Sequence, residues 1–180
     1  MFGLGRIRLR KIGQHLSMNK LFIIMGVSGC GKTTIGKQLA KKINLPFLDA
    51  DDFHSEENIQ KMTNGIALND TDRMPWLDTL NNELKTYTEK YGVVLACSAL
   101  KESYRKKLSE GISQIQWIYL KSDSKLIQQR MQQRTDHFMN VQLMQSQFDT
   151  LEEPTYGLHI SNASSPNEIM IQILQKMGHI

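Results

Sequence analysis

The sequence predicts an α/β fold of three layers, with helices on both faces of a parallel sheet of about five strands. Three observations predict it. Leu21–Met25, LFIIM, is an unbroken apolar run, the pattern of a strand covered on both faces. It leads into Gly26-Val27-Ser28-Gly29-Cys30-Gly31-Lys32-Thr33, which fits G-x-x-x-x-G-K-[ST], and a helical pattern follows at once. Further apolar runs at 93–97 and 115–120 alternate with amphipathic segments, as in strands joined by right-handed helical crossovers.

The glycine-rich stretch is a phosphate cradle of the P-loop NTPase type. Glycines let the backbone curl with its N–H groups inward and leave no Cβ against a phosphate. The loop feeds a helix N-terminus, where unpaired N–H groups and the dipole favour an anion. Gly26, Val27, Ser28, Gly29, Cys30, Gly31, Lys32, Thr33 and Thr34 are therefore expected to bind the phosphates of ATP. Lys32 can reach the outer phosphates, and the Thr33 hydroxyl can hold Mg²⁺. A turn that binds nothing has no use for Lys-Thr at the helix start.

Composition bounds the rest. A chain of 180 residues, 40% hydrophobic and 22% charged, suits one globular domain. No apolar run reaches the length of a membrane span. Cys30 and Cys97, with no Cys or His partners nearby, suggest neither a disulfide framework nor a zinc site, and a reducing, intracellular setting is expected. The net charge is +4, and every charge before Asp49 is positive. A basic half beside a phosphate loop suits a polyanion such as ATP; nucleic acid is disfavoured, because no aromatic interleaving or nucleic-acid motif accompanies the charge. Residues 1–17 read as a basic extension ahead of a single domain over 18–180; a targeting peptide and a start at Met18 are the other readings of that segment.

In order along the domain, Thr34–Ile43 is a helix with Ile35, Leu39, Ala40 and Ile43 inward, ended by Asn44-Leu45-Pro46. A short strand at 46–48 ends in Asp49-Ala50-Asp51-Asp52-Phe53-His54, carboxylates placed where open α/β sheets bind ligands. Extended spacing sets Asp49 and Asp51 on one side, while Asp52 and Ser55 read as caps for a helix over 56–62. Residues 66–75 read as a polar loop, and 76–91 as a helix with Trp76, Leu77, Leu80, Leu84 and Tyr87 in the core. After the strand at 93–97 comes a basic helix over 101–110, read as a solvated face except for Lys101, which stands at the strand's carboxyl end. The strand at 115–120 is followed by helices at 123–134 and 141–150 around a break, read either as a helical lid over about 130–145 carrying Arg130 and Arg134 or as an ordinary basic helical hairpin. A last strand at 158–160 precedes a helix whose start, Ser165-Pro166-Asn167-Glu168, combines N-cap, proline and capping box.

A phosphate loop, carboxylates after the second strand and a lid with arginines form a phosphoryl-transfer kit. Asp51 would orient or deprotonate a substrate hydroxyl, while Lys32, Mg²⁺, Arg130 and Arg134 would stabilise charge on the transferring phosphoryl. The residues by themselves reach a small-molecule kinase using ATP and leave the acceptor open.

Five blocks, in order, resemble the gluconokinases, relatives of shikimate kinase: MGVSGCGKTTIG at 25–36, LDADDFHSEENIQKM at 48–62, GIALNDTDRMPWL at 65–77, CSALKESYRKKL at 97–108, and RMQQRTDHFM with SQFDTLEEP at 130–154. The resemblance implies transfer of the ATP γ-phosphoryl to the 6-hydroxyl of D-gluconate in carbohydrate-acid catabolism, by a cytoplasmic homodimer. Carried over by position, Asp51 is the candidate base and Asp49 helps organise Mg²⁺. A carboxylate with several hydroxyls needs a cation and hydrogen-bonding groups, and Arg73, His54 and Lys101 are the candidates. Another acceptor, such as shikimate or a nucleoside monophosphate, and a nucleotide-binding regulator without turnover are the competing readings. The DTDRMPWL and CSALK blocks speak against the first, and intact Lys32, Thr33 and Asp51 against the second. Cys30 stands where the family has Ser, and little effect is expected because its backbone N–H is what the phosphate needs, though a thiol there is open to oxidation; Ser55 and Ala67 replace prolines and are expected to loosen two loops.

Overall fold

The computed structural model describes residues 21–132 and 141–178. Five strands, β1 (Leu21–Met25), β2 (Phe47–Asp49), β3 (Val93–Ala96), β4 (Ile115–Lys121) and β5 (Leu158–Ser161), form one sheet in the order β2-β3-β1-β4-β5. Every pairing is parallel. β1 is central, with Ile24 opposite Ala96 on one side and Ile118 on the other.

The apolar run of β1 is divided by its pleat. Leu21, Ile23 and Met25 face one core with Leu77, Leu80, Leu84, Tyr104 and Leu108. Phe22 and Ile24 face the other with Ile35, Leu39, Ile127, Met144, Ile169 and Ile173. Each face needs its own helical layer, which is why a continuous apolar strand specifies three layers. The helices are α1 (Lys32–Ile43), α2 (Glu56–Thr63), α3 (Asp70–Lys90), α4 (Glu102–Ser109), α5 (Ser124–Gln132), α6 (Val141–Thr150) and α7 (Pro166–Lys176). The expected element order holds, with one addition: Ala50–Phe53 is a 3-10 turn.

Two readings change. The stretch at 66–75 is not all loop, because α3 begins at Asp70. Asn69 caps it in a box with Asp72, each side chain accepting the other's backbone N–H at 2.9 and 3.1 Å. That box fixes the first turn so firmly that Pro75 is carried inside the helix. In α4, the solvated face holds for the lysines but not for Arg105, which is 2% exposed. Its guanidinium donates to the carbonyls of Ala99 and Leu100 at 2.9 and 3.1 Å, to Glu102 at 2.9 Å and to the Tyr156 hydroxyl at 3.0 Å. A buried arginine is tolerated only with its donors satisfied, and here they hold the 98–101 loop in shape, including Ala99 at φ +45°.

The segment read as a lid is only partly described. α5 and α6 flank it as expected, whereas Arg134 and residues 133–140 lie outside the described residues, as does the extension at 1–17. Among the described residues, no helix is long and apolar enough to cross a membrane.

Candidate active site

The site forms where β1, β2 and β3 end, at the point where the chain turns outward in opposite directions around β1. Gly26 opens the loop at φ +143°, where a Cβ would stand 2.9 Å from the Leu120 carbonyl oxygen. Its N–H donates to the Ser98 carbonyl at 3.3 Å, which ties the loop to the end of β3. Gly31, at φ +96°, caps α1 in the left-handed region with no side-chain hydrogen bond. The first N–H groups of α1 are thus left for a ligand. A Cβ on Gly31 would meet nothing within 4 Å, so it would stand in open space beside the loop, where a phosphate is expected.

Asp49, at the end of β2, serves two neighbours. Its Oδ2 accepts the Thr33 hydroxyl at 2.7 Å, and its Oδ1 accepts the Asp51 N–H at 3.3 Å. Asp49 and Asp51 are therefore not related by an extended chain, as the spacing suggested. The 3-10 turn intervenes, and the Asp49 carboxylate caps it, because a short Asp side chain reaches the backbone two residues on. Thr33 and Asp49 present hard oxygen donors beside the loop, the chemistry that suits Mg²⁺. Ser55 caps α2 through the Asn58 N–H at 3.2 Å, as its cap reading expected, and so fastens the loop that the loss of a proline was expected to loosen.

A cavity of about 350 Å³ opens beside the loop. Its wall brings together Ser28, Lys32, Asp51, His54 and Arg73 from the expected set, and adds Trp76, Ser98, Ser146 and Gln147. Trp76 is core, as read, but also one wall of the cavity. Its indole Nε1 donates to the Ala50 carbonyl at 2.8 Å, and its ring stacks on His54 at 4.4 Å between centroids. Burial holds His54 below the ordinary imidazole range; nearby Asp51 opposes that shift and Arg73 adds to it. Its Nδ1 is buried without a hydrogen-bond partner among the described residues, a polar atom in want of a ligand.

Arg73 is held by the Leu68 carbonyl and lies over the Tyr104 ring at 5.5 Å. Lys101 is not in the cavity wall. Its ammonium pairs with both Asp70 carboxylate oxygens at 2.8 and 3.0 Å, and the Tyr104 hydroxyl donates to the same carboxylate. Lys101 thus braces the Asp70–Tyr104 pair behind Arg73, and its hydrogen bond pulls the Asp70 carboxyl below the usual range.

On the other side of the loop lies a second cavity of about 380 Å³, lined by Gly29, Cys30, Gly31, Thr34, Arg130 and residues preceding and opening α7. Arg130 faces this cavity, with Nη2 donating to the Asn162 carbonyl at 2.6 Å. Asn162 is wholly buried and donates to the Cys30 carbonyl at 2.9 Å, fixing the loop from behind. Cys30 is buried, and burial raises its thiol above the ordinary value. It stays protonated and shielded, which disfavours oxidation of this thiol.

Asn162, Arg105 and Gln147 are the residues that sequence reasoning passed over. Only the last two carried a signal, lying inside the CSALKESYR and SQF blocks.

A phosphate loop feeding an uncapped helix, with carboxylates at the next strand and cavities on either side, defines a phosphate-loop kinase. The shikimate kinase family model matches residues 28–178. The chain is 45% identical over 134 residues to the thermosensitive gluconokinase of Escherichia coli K12, covering 74% of this chain and 72% of that one. It is 42% identical over 176 residues to a gluconokinase of Arabidopsis thaliana, covering 89% and 93%. Among solved structures, a gluconokinase from Sinorhizobium meliloti superposes with a TM-score of 0.81 at 36% identity, over 89% of this chain and 93% of that one. A shikimate kinase from Bacteroides thetaiotaomicron, at 17% identity and a TM-score of 0.60 over 88% and 98%, shares the fold. The chain belongs to the gluconokinase family, within the shikimate kinase group of phosphate-loop kinases.

Proposed function

We propose that this protein transfers the γ-phosphoryl group of ATP to the 6-hydroxyl of D-gluconate, giving 6-phospho-D-gluconate and ADP. The observation that carries the reading is the cavity that gathers Lys32, Asp51, His54 and Arg73 at the acceptor end of the phosphate loop. Its kinship with gluconokinases over most of the chain points to the same acceptor.

In this reading the nucleotide lies along the loop, its phosphates on the N–H groups from Ser28 to Thr34. Arg130 adds positive charge from the second cavity. Asp51 accepts or orients the proton of the acceptor hydroxyl, and Lys32 draws charge off the transferring phosphoryl. Arg73 grips the gluconate carboxylate. The unpartnered Nδ1 of neutral His54 takes one sugar hydroxyl, and Lys101 keeps Arg73 in place through Asp70 and Tyr104. Thr33 and Asp49 would hold Mg²⁺, which neutralises charge on the phosphates when bound. A cytoplasmic homodimer belongs to the same proposal, by kinship alone.

The test is ADP release from Mg-ATP with D-gluconate, beside shikimate, AMP and a blank without acceptor. Stimulation by gluconate alone is expected. Asp51→Asn should then lower kcat by about 10²–10⁴-fold, the usual weight of a positioned base, with ATP affinity little changed. Nucleotide binding without stimulation by gluconate would sink the assignment.

A further inference from the structure

Gln147 sits on α6, a helix turn beyond Leu143, and shares the acceptor cavity with Ser28, Lys32 and Asp51. Its Oε1 accepts the backbone N–H of Ser28 at 2.7 Å. That N–H is a phosphate-loop donor with a particular outlook. Ser28 and Lys32 face the acceptor cavity, whereas Gly29, Cys30 and Gly31 face the second one. A nucleotide laid along the loop, its phosphates running from the second cavity toward the first, brings its terminal phosphoryl to Ser28. Lys32 is in a matching state: its Nζ donates to the Val27 carbonyl at 3.1 Å. Both donors that face the terminal phosphoryl are thus satisfied from within the protein.

One N–H cannot serve a side-chain carbonyl and a phosphoryl oxygen together at full strength. Because the phosphoryl oxygen is charged, its hydrogen bond is roughly twice as strong as the neutral amide's, so the phosphoryl displaces the side chain. We propose that Gln147 is a positioning residue that reads the terminal phosphoryl: its amide carbonyl holds the Ser28 N–H until that phosphoryl takes the place. The proposal rests on the kinase reading above. Its consequence is that α6, which also brings Leu143 and Ser146 to the cavity wall, is tied to the loop when a diphosphate is bound and released when a triphosphate is bound. The acceptor wall can then settle around its substrate only when there is a phosphoryl group to transfer.

The full-length protein is titrated by calorimetry with ADP and with a non-hydrolysable imido analogue of ATP, as wild type, Gln147→Ala and Gln147→Glu. Alanine removes the competitor, so the triphosphate analogue should bind roughly three- to tenfold more tightly, the value of one neutral hydrogen bond, with ADP within about twofold. Glutamate keeps an acceptor at the N–H and adds a negative charge against the phosphoryl. The analogue should then bind at least about tenfold more weakly, again with ADP little changed. A residue that only supports the fold would shift both nucleotides together. An analogue-to-ADP ratio unchanged in both variants, or equal shifts for both nucleotides, overturns the inference alone. Failure of wild type to bind either nucleotide removes the kinase reading and the inference with it.

Discussion

Replacing Gly31 by alanine separates the loop's need to fold from its need to bind. In the structure the added Cβ meets no atom within 4 Å, so packing is not disturbed. The backbone is strained, because φ is +96°, and an L-residue in the left-handed region costs roughly 1–2 kcal/mol. The fold should survive that loss. The space the methyl group enters, however, is the one the phosphate is expected to occupy. Pushing a phosphate off two charge-assisted hydrogen bonds, at about 1.5 kcal/mol each, costs about 3 kcal/mol, which is roughly a hundredfold in affinity. Gly26→Ala is the contrast. There the Cβ stands 2.9 Å from the Leu120 carbonyl oxygen and 2.9 Å from the Cys30 sulfur, again at positive φ, so the cost should fall on folding. The assay pairs denaturant unfolding with calorimetric titration of the ATP analogue. Gly31→Ala should unfold within about 2 kcal/mol of wild type and bind nucleotide poorly; Gly26→Ala should be depleted of folded protein. If Gly31→Ala bound the analogue within about threefold of wild type, well short of the expected loss, the cradle argument would be wrong.

Arg105→Met keeps much of the side chain's volume but orphans the buried carbonyl of Ala99, while that of Leu100 keeps the Glu152 N–H at 2.9 Å. At roughly 1–3 kcal/mol for one unsatisfied group, the loss is about 2 kcal/mol. For a chain of this size that lowers Tm by roughly 4–8 °C, and a loss under about 1 kcal/mol in chemical unfolding, less than one orphaned group, contradicts the account. His54 is held below its ordinary pKa of 6.5 chiefly by burial. The unfolded chain therefore binds its proton first, and stability falls as pH drops through 6.5 toward the lower folded value. His54→Gln should flatten that part of the stability profile, and an unchanged slope in urea titrations run across this range would show that His54 is not the group responsible.

The order of elements was readable because strand and helix periodicities are local, and the loop's chemistry was readable because its spacing is contiguous. Errors arose where local signals competed. Pro75 and the polar residues at 66–75 suggested a loop, but the Asn69–Asp72 box outweighed them. Two aspartates two residues apart suggested a shared face, but Asp49 caps a 3-10 turn that rotates Asp51 away from that relation. Arg105 looked like one more surface charge in SYRKK. Its burial depends on Tyr156 and on the carbonyls before α4, and nothing in the spacing of the basic residues brings those groups to it.

What the sequence determined by itself was the class of layers and the phosphate cradle, since both follow from residues adjacent in the chain: an apolar strand buried on two faces, then glycines, Lys32 and Thr33 at a helix start. What only the tertiary structure decided was which distant groups share the site. Asn162 reaches Cys30 across 132 residues and Gln147 reaches Ser28 across 119, because parallel strands joined by crossovers collect all their carboxyl ends at one edge of the sheet. That convergence is a property of the sheet order, and it sets Arg130 and Asn162 behind the loop and Gln147, Arg73 and His54 in front of it.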